Sequence, residues 1–140
     1  MGPLLDTLAE TTASFIQTRD WDIDCIVPVP PSNMTRKHQP VFELARRISS
    51  NLNKPVCWDC ISKTKDTPEL KNIHLYSARL KVLKDAFSVD KKKTRDKIIL
   101  LLDDLYRSGA TMNAISKALI EQGSAKRVHA LAITKTRSKW

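Results

Sequence analysis

Cysteine, aromatic side chains and long apolar runs are all scarce in this 140-residue chain, and each scarcity excludes something. Three cysteines, an odd number, argue against a disulfide framework and fit a reducing compartment. Aromatic residues make up 6% of the sequence, too few for an extended platform that stacks single-stranded nucleic acid. No apolar stretch approaches the roughly 18 residues of a membrane span, so no membrane partner is expected. The opening MGPLLDTLAE carries Asp6 and Glu10 where a secretory signal would carry positive charge and then an apolar run. Internal repeats and low-complexity tracts are absent as well. These exclusions leave a cytoplasmic, globular domain as the expectation.

What is present is a core and a strong positive charge. Hydrophobic residues reach 41%, enough to rule out wholesale disorder, and the length fits one compact domain. Lys and Arg total 24 against 15 Asp and Glu, a formal charge of +9, which points to anionic partners. The excess is uneven, with a dense run at Lys91, Lys92, Lys93, Arg95 and Lys97. Read alone, that run is a solvated loop before a strand; read with the net charge, it is an electrostatic footprint for phosphates.

Periodicity predicts a helix over residues 4–18, a buried strand in Asp24–Pro31 that ends in prolines, and a helix over Gln39–Leu52. Val56–Ile61 reads as a second strand, Ser62–His74 as a long charged loop, Leu75–Leu83 as a short helix and Ala86–Val89 as a small strand. Lys97–Leu102 is a strand apolar on both faces. A helix follows with Met112, Ile115, Leu119 and Ile120 on one face and Gly123 as its stop, and Arg127–Ile133 is the last strand. Strands alternating with helices imply an α/β domain with a mostly parallel central sheet and flanking helices. Residues 1–20 read as an N-terminal helix, a hood element or a linker from an upstream domain, and 21–140 as the domain proper.

The chemistry concentrates in IILLLDDLYRSGAT. An apolar strand places Asp103 and Asp104 at its carboxyl end, where adjacent carboxylates need hydroxyl donors, a cation or an Mg²⁺-bound ligand to offset their repulsion. Four residues on, Ser108, Gly109, Ala110 and Thr111 enter a helix whose N-terminus favours a phosphate. Thr111 suits both a helix cap and a hydroxyl donor to that phosphate. Carboxylates for sugar hydroxyls beside a phosphate nest describe a site for a ribose 5-phosphate.

This segment resembles the phosphoribosyl pyrophosphate (PRPP) signature of type I phosphoribosyltransferases. IVPVPPSNMTRKHQ is similar to the strand and pyrophosphate loop of the ComF-type members, and KTKDTPELKNIHLYSARLKVLKDAF to their basic segment. The likeness covers roughly residues 24–134. It implies that Asp103 and Asp104 hold the ribose hydroxyls and that Arg107, Ser108, Gly109, Ala110 and Thr111 cradle the 5-phosphate. It further implies that Ser32, Asn33, Arg36 and Lys37 meet the pyrophosphate, with Lys63 and Lys65 on a mobile loop over the site. Mg²⁺ would be held mainly through the ligand, with Asp103 and Asp104 as protein donors, and pyrophosphate would be displaced by an acceptor. Arg107 and Ser108 stand where that family's loop usually has two threonines, and Leu70 stands about where it often has Gln. The family's N-terminal zinc-binding cysteine clusters are absent from this sequence.

Other motifs carry less. Cys57-Trp58-Asp59-Cys60 has the spacing of zinc or redox pairs, but only Cys25 is left as a further thiol and the motif falls in an expected strand. Trp21 and Trp58 read as packing residues, Trp140 as a terminal residue, and Arg46, Arg47 and Lys54 as a solvated helix edge. Of His38, His74 and His129, only His74 lies beside the expected mobile loop. The competing reading is a catalytically weak accessory module that senses PRPP or a nucleotide, or contacts DNA through its basic surface, linked to DNA uptake or DNA processing as part of a longer multidomain protein.

Overall fold

The computed structural model describes residues 2–30, 40–64, 75–83, 86–106 and 109–135. In chain order the elements are α1 (Gly2–Thr18), β1 (Cys25–Pro28), α2 (Pro40–Leu52), β2 (Ile61–Lys63) and α3 (Tyr76–Leu83). They continue as β3 (Phe87–Val89), α4 (Lys91–Thr94), β4 (Ile98–Tyr106), α5 (Ala110–Glu121) and β5 (Arg127–Lys135). Among the described residues three parallel strands form the main sheet in the order β1-β4-β5, and β2 pairs antiparallel with β3 in a separate two-stranded sheet. The expected α/β architecture with a mostly parallel sheet is therefore present. Among the described residues no helix is long and apolar enough to cross a membrane.

β4 is the spine because its residues leave it no other place. Ile99, Leu100, Leu101 and Leu102 are all fully buried, as a strand covered on both faces requires. The pleat sorts them by face. Ile99 and Leu101 join Cys25 and Val27 of β1 against Met112, Ile115 and Leu119 of α5. Leu100 and Leu102 join Ile26 against Leu44, Ala45 and Ile48 of α2 and Leu5, Ala9 and Ile16 of α1. Each of the Leu, Ile, Val and Met side chains among them contributes about 1.5–3 kcal/mol of burial. Asp24 fixes the entry of β1 onto β4, since its N–H donates to the Ile98 carbonyl (2.8 Å) and its carboxylate accepts the Ile98 N–H (2.7 Å).

α1 is joined to this core by more than apolar contact. Arg47 of α2 donates to Asp6 of α1 at 2.7 Å and to Glu43 at 3.1 Å, and Arg46 pairs with Glu43 at 2.6 Å. Arg47, expected on a solvated edge, is thus the polar tie between two helices. Trp21 stacks on His129 of β5 with ring centroids 4.3 Å apart, which agrees with a packing role. Trp58 lies edge-on to Phe42 with Arg46 over its ring, and it stays nearly half exposed at 46%.

Three expectations of local structure are corrected. Val56–Ile61 is not a strand: Val56 makes one parallel bridge to Ile26, the chain bends over residues 58–60, and extended pairing resumes only at Ile61. Asp59 is turned out to Lys93 at 2.6 Å and Cys60 is drawn into the core, demands that one straight strand cannot meet. The basic run is not all loop, because Asp90 caps Lys91–Thr94 into one helical turn by accepting the Lys92 N–H at 3.1 Å. Ile120 is 43% exposed; Ala118 and Leu119 supply the buried positions of that turn.

Gly123 follows α5 as expected but not as its left-handed residue, a role that falls to Ser124 (φ 52°). Glycine is needed at 123 for room. A Cβ there would meet Thr94 Oγ1 at 2.5 Å, the Leu119 carbonyl at 2.7 Å and Val89 Cγ1 at 2.7 Å. The Thr94 hydroxyl donates to the Gly123 carbonyl at 2.7 Å in a fully buried contact, so this close approach joins α4 to the end of α5.

Candidate functional site

β1 is followed by a helix on one face of the sheet and β4 by a helix on the other, since α2 packs against Leu100 and Leu102 and α5 against Ile99 and Leu101. Connections that leave neighbouring parallel strands in opposite directions open a crevice at the strands' carboxyl ends. β1 stops at Pro28, opposite Leu102, whereas β4 runs on to Tyr106 beside β5. The first residues of β4 beyond the reach of β1 are Asp103 and Asp104. They stand at the mouth of that crevice, in the middle strand of three.

The two carboxylates are not equivalent. By the pleat, Asp103 continues the α5 face begun by Ile99 and Leu101, and Asp104 continues the α2 face. Asp103 Oδ1 accepts the backbone N–H of Asp104 at 2.8 Å. Both residues are half-buried, so neither is sealed from a ligand.

Gly109 turns the chain into α5 with φ 83° and ψ −5°, a left-handed conformation that glycine adopts without penalty. It occupies the N-cap position, and the first turn closes with the Asn113 N–H on the Gly109 carbonyl at 2.8 Å. Thr111 is therefore the second residue of the helix and not its cap, which corrects the expectation. The turn was made by backbone freedom at Gly109 and left no capping role for a hydroxyl two residues later. The N-terminus of α5, with its positive dipole end, is aimed at the same carboxyl edge as Asp103.

Asp103, Asp104, Gly109, Ala110 and Thr111 are thus gathered on one edge by β4 and α5. Lys63 closes β2 opposite Phe87, on the two-stranded sheet. Arg107, Ser108, Ser32, Asn33, Arg36, Lys37, Lys65 and His74 lie outside the described residues. Among the described residues no group of three or more His, Cys, Asp or Glu side chains is arranged to hold a metal ion. An open groove of about 300 Å³ between α1 and α2 is a separate feature, lined by Asp6, Glu43, Arg46 and Arg47, whose charges are paired with one another.

Sequence reasoning missed the left-handed Gly109 as the helix entry, although glycine is the residue that most readily adopts a left-handed turn. It also missed the reach of β4 past Leu102, because Asp and Tyr break the apolar run that marked the strand.

No protein-family model matches this sequence, and no curated protein does. Solved structures do match. One of adenine phosphoribosyltransferase aligns with a TM-score of 0.67 at 15% identity, over 97% of this chain and 72% of that one. An adenine phosphoribosyltransferase from Trypanosoma brucei, in complex with AMP, pyrophosphate and ribose 5-phosphate, aligns at 0.63 and 15%, over 96% and 53%. A hypothetical protein from Neisseria gonorrhoeae with bound ppGpp aligns at 0.60 and 15%, over 96% and 69%. At such identities the shared property is the fold, and it is the fold of the type I phosphoribosyltransferases.

Proposed function

We propose that this chain, built on the type I phosphoribosyltransferase fold, is a ComF-like domain that binds PRPP with Mg²⁺ and transfers its ribose 5-phosphate group to an acceptor, releasing pyrophosphate. The observation that carries the reading is the pairing of Asp103 and Asp104 with the Gly109 turn and the α5 N-terminus at one topological switch point. A ribose 5-phosphate has two kinds of handle, vicinal hydroxyls and a dianion. The site offers carboxylates that accept from hydroxyls and a helix entry that favours an anion.

In this reading Asp103 and Asp104 hold the ribose 2- and 3-hydroxyls, and residues 107–111 cradle the 5-phosphate. Ser32, Asn33, Arg36 and Lys37 meet the pyrophosphate, and Lys63, at the end of β2, leads with Lys65 into the loop that folds over it. Fixing the ribose at both ends orients the anomeric carbon for in-line displacement, and closing the loop excludes water, which would otherwise take the acceptor's place. Cationic side chains offset the charge that builds on the leaving pyrophosphate in an oxocarbenium-like transition state.

Mg²⁺ fits the donor set. Two carboxylates at a strand end are hard oxygen donors of the kind that share this ion with substrate phosphates. Most of its ligands would come from PRPP, with Asp103 and Asp104 as the protein's own donors. When bound, it would neutralise charge on the leaving group.

The reading is tested by calorimetric titration with PRPP, with and without Mg²⁺, of the wild type and an Asp103→Asn, Asp104→Asn double variant. Saturable, Mg²⁺-dependent binding that the double variant loses is expected, and pyrophosphate release then identifies acceptors. Absence of binding by the wild type sinks the assignment. Binding of DNA that weakens steeply with salt and survives in the double variant would favour the accessory-module reading instead.

A further inference from the structure

We infer that Cys57 and Cys60 form a thiol pair that an oxidant of the peroxide class converts to an intrachain disulfide. The backbone of each cysteine is held by a different element. The Cys57 N–H donates to Ile26 of β1 at 2.8 Å, and the Cys60 carbonyl accepts from Asp90, at the end of β3, also at 2.8 Å. Between these anchors the chain bends over residues 58–60, and the Cys60 thiol turns back to within 4.0 Å of the Cys57 carbonyl. The bend thus carries Cys60 back toward Cys57, and a link between them asks for Cα atoms roughly 4.4–6.8 Å apart, a spacing that a reversal of the chain over three residues favours. Both sulfurs belong to the same apolar cluster, with Cys60 fully buried and Cys57 at its partly exposed rim. The tie of Asp59 to Lys93 fixes the bend from outside.

The order of events follows from access. Burial pushes the Cys60 thiol up, with the neighbouring Cys57 adding to the effect, and burial pushes Cys25 up to about 11. Neither buried thiol is the one a peroxide meets first. At Cys57, sulfur is oxidised to a sulfenic acid as the peroxide O–O bond breaks and one water leaves. Cys60 sulfur then attacks that sulfur, the S–S bond forms, and the displaced hydroxyl departs as a second water with the Cys60 proton. Fixed anchors make the second step effectively unimolecular, which offsets the low thiolate fraction at Cys60.

Cys25 competes for the same partner. It lies in the same cluster, on the strand bridged beside Cys57, and the two thiols influence one another. It is nevertheless held by β1, which pairs along its length with β4 and has no bend to bring its sulfur across.

The test uses the full chain, exposed to hydrogen peroxide and then alkylated under denaturing conditions. Alkylatable thiols are expected to fall from three to one, and peptide mapping to find a Cys57–Cys60 link. Cys25→Ser should form the link as the wild type does. Cys60→Ser should stop at a sulfenic acid on Cys57 that dimedone captures. A Cys25–Cys57 link, or three alkylatable thiols after exposure, would overturn the inference, and the wild-type map decides the matter even where a variant folds poorly. None of these readouts depends on PRPP binding.

Discussion

The carboxylate of Asp103 accepts the backbone N–H of Asp104 at 2.8 Å, so one member of the acidic pair helps to hold the other in place. This divides the pair into an acid with a local backbone partner and an acid on the opposite face of the strand. Their substitutions should therefore separate.

Asp103→Asn keeps an acceptor oxygen for that N–H, and its thermal midpoint should match that of the wild type, whereas Asp103→Ala loses the bond at a cost of about 0.5–1.5 kcal/mol. Both should lower PRPP affinity by tenfold or more. Equal losses of stability in the two variants would show that the bond is incidental.

Gly109→Ala forces a side chain into φ 83°, a left-handed position that costs a non-glycine residue about 1–3 kcal/mol. Urea denaturation should register that cost, and Gly109→Asn should recover part of it, since asparagine tolerates this region better. A stabilised Gly109→Ala would mean that the turn has another conformation in solution.

At Gly123 the argument is steric. The added methyl of Gly123→Ala meets Thr94, Leu119 and Val89 inside 3 Å, and overpacking of this kind costs about 1–3 kcal/mol. Thr94→Val removes the donor to the Gly123 carbonyl and leaves a buried acceptor unpaired, a loss of about the same size. Because the two side chains touch, the double variant should not be additive in denaturant titrations.

His129 gives a pH dependence with a definite sign. Burial against Trp21, with Arg127 nearby, lowers its pKa below the ordinary histidine value of 6.5. The unfolded chain then binds the proton first. Stability from this residue is complete above about pH 6.5 and is lost as pH falls from there to the folded pKa. Thermal midpoints measured from pH 7.5 to 5.5 should fall more steeply for the wild type than for His129→Gln. Parallel slopes would assign the acid sensitivity to other groups.

The parts of this fold that the sequence displayed are those set by burial on two faces or one. Lys97–Leu102 announced a central strand and Gln39–Leu52 a helix, because apolar periodicity is the direct image of what each element covers. Val56–Ile61 misled because Val, Cys, Trp and Ile carry strand propensity while the tertiary ties of Cys57, Asp59 and Cys60 pull in three directions. Arg47 misled because partners 41 residues apart, such as Asp6, leave no periodic trace. At the site, the acid pair and the small-residue turn were legible as types and order. Their placement on opposite faces of β4, and the choice of Gly109 over Thr111 to open the helix, depend on register and backbone angle, which composition does not encode.

The end of the buried stretch at Leu102 has a consequence for how such a chain can diverge. Four sealed residues determine the architecture, and the acids begin one position later, where side chains are half open to solvent. Selection on shape and selection on chemistry therefore act on adjacent but separate residues. A descendant could exchange Asp103 and Asp104, change what it binds, and still present the same helices, the same crevice and the same anion-favouring entry to α5.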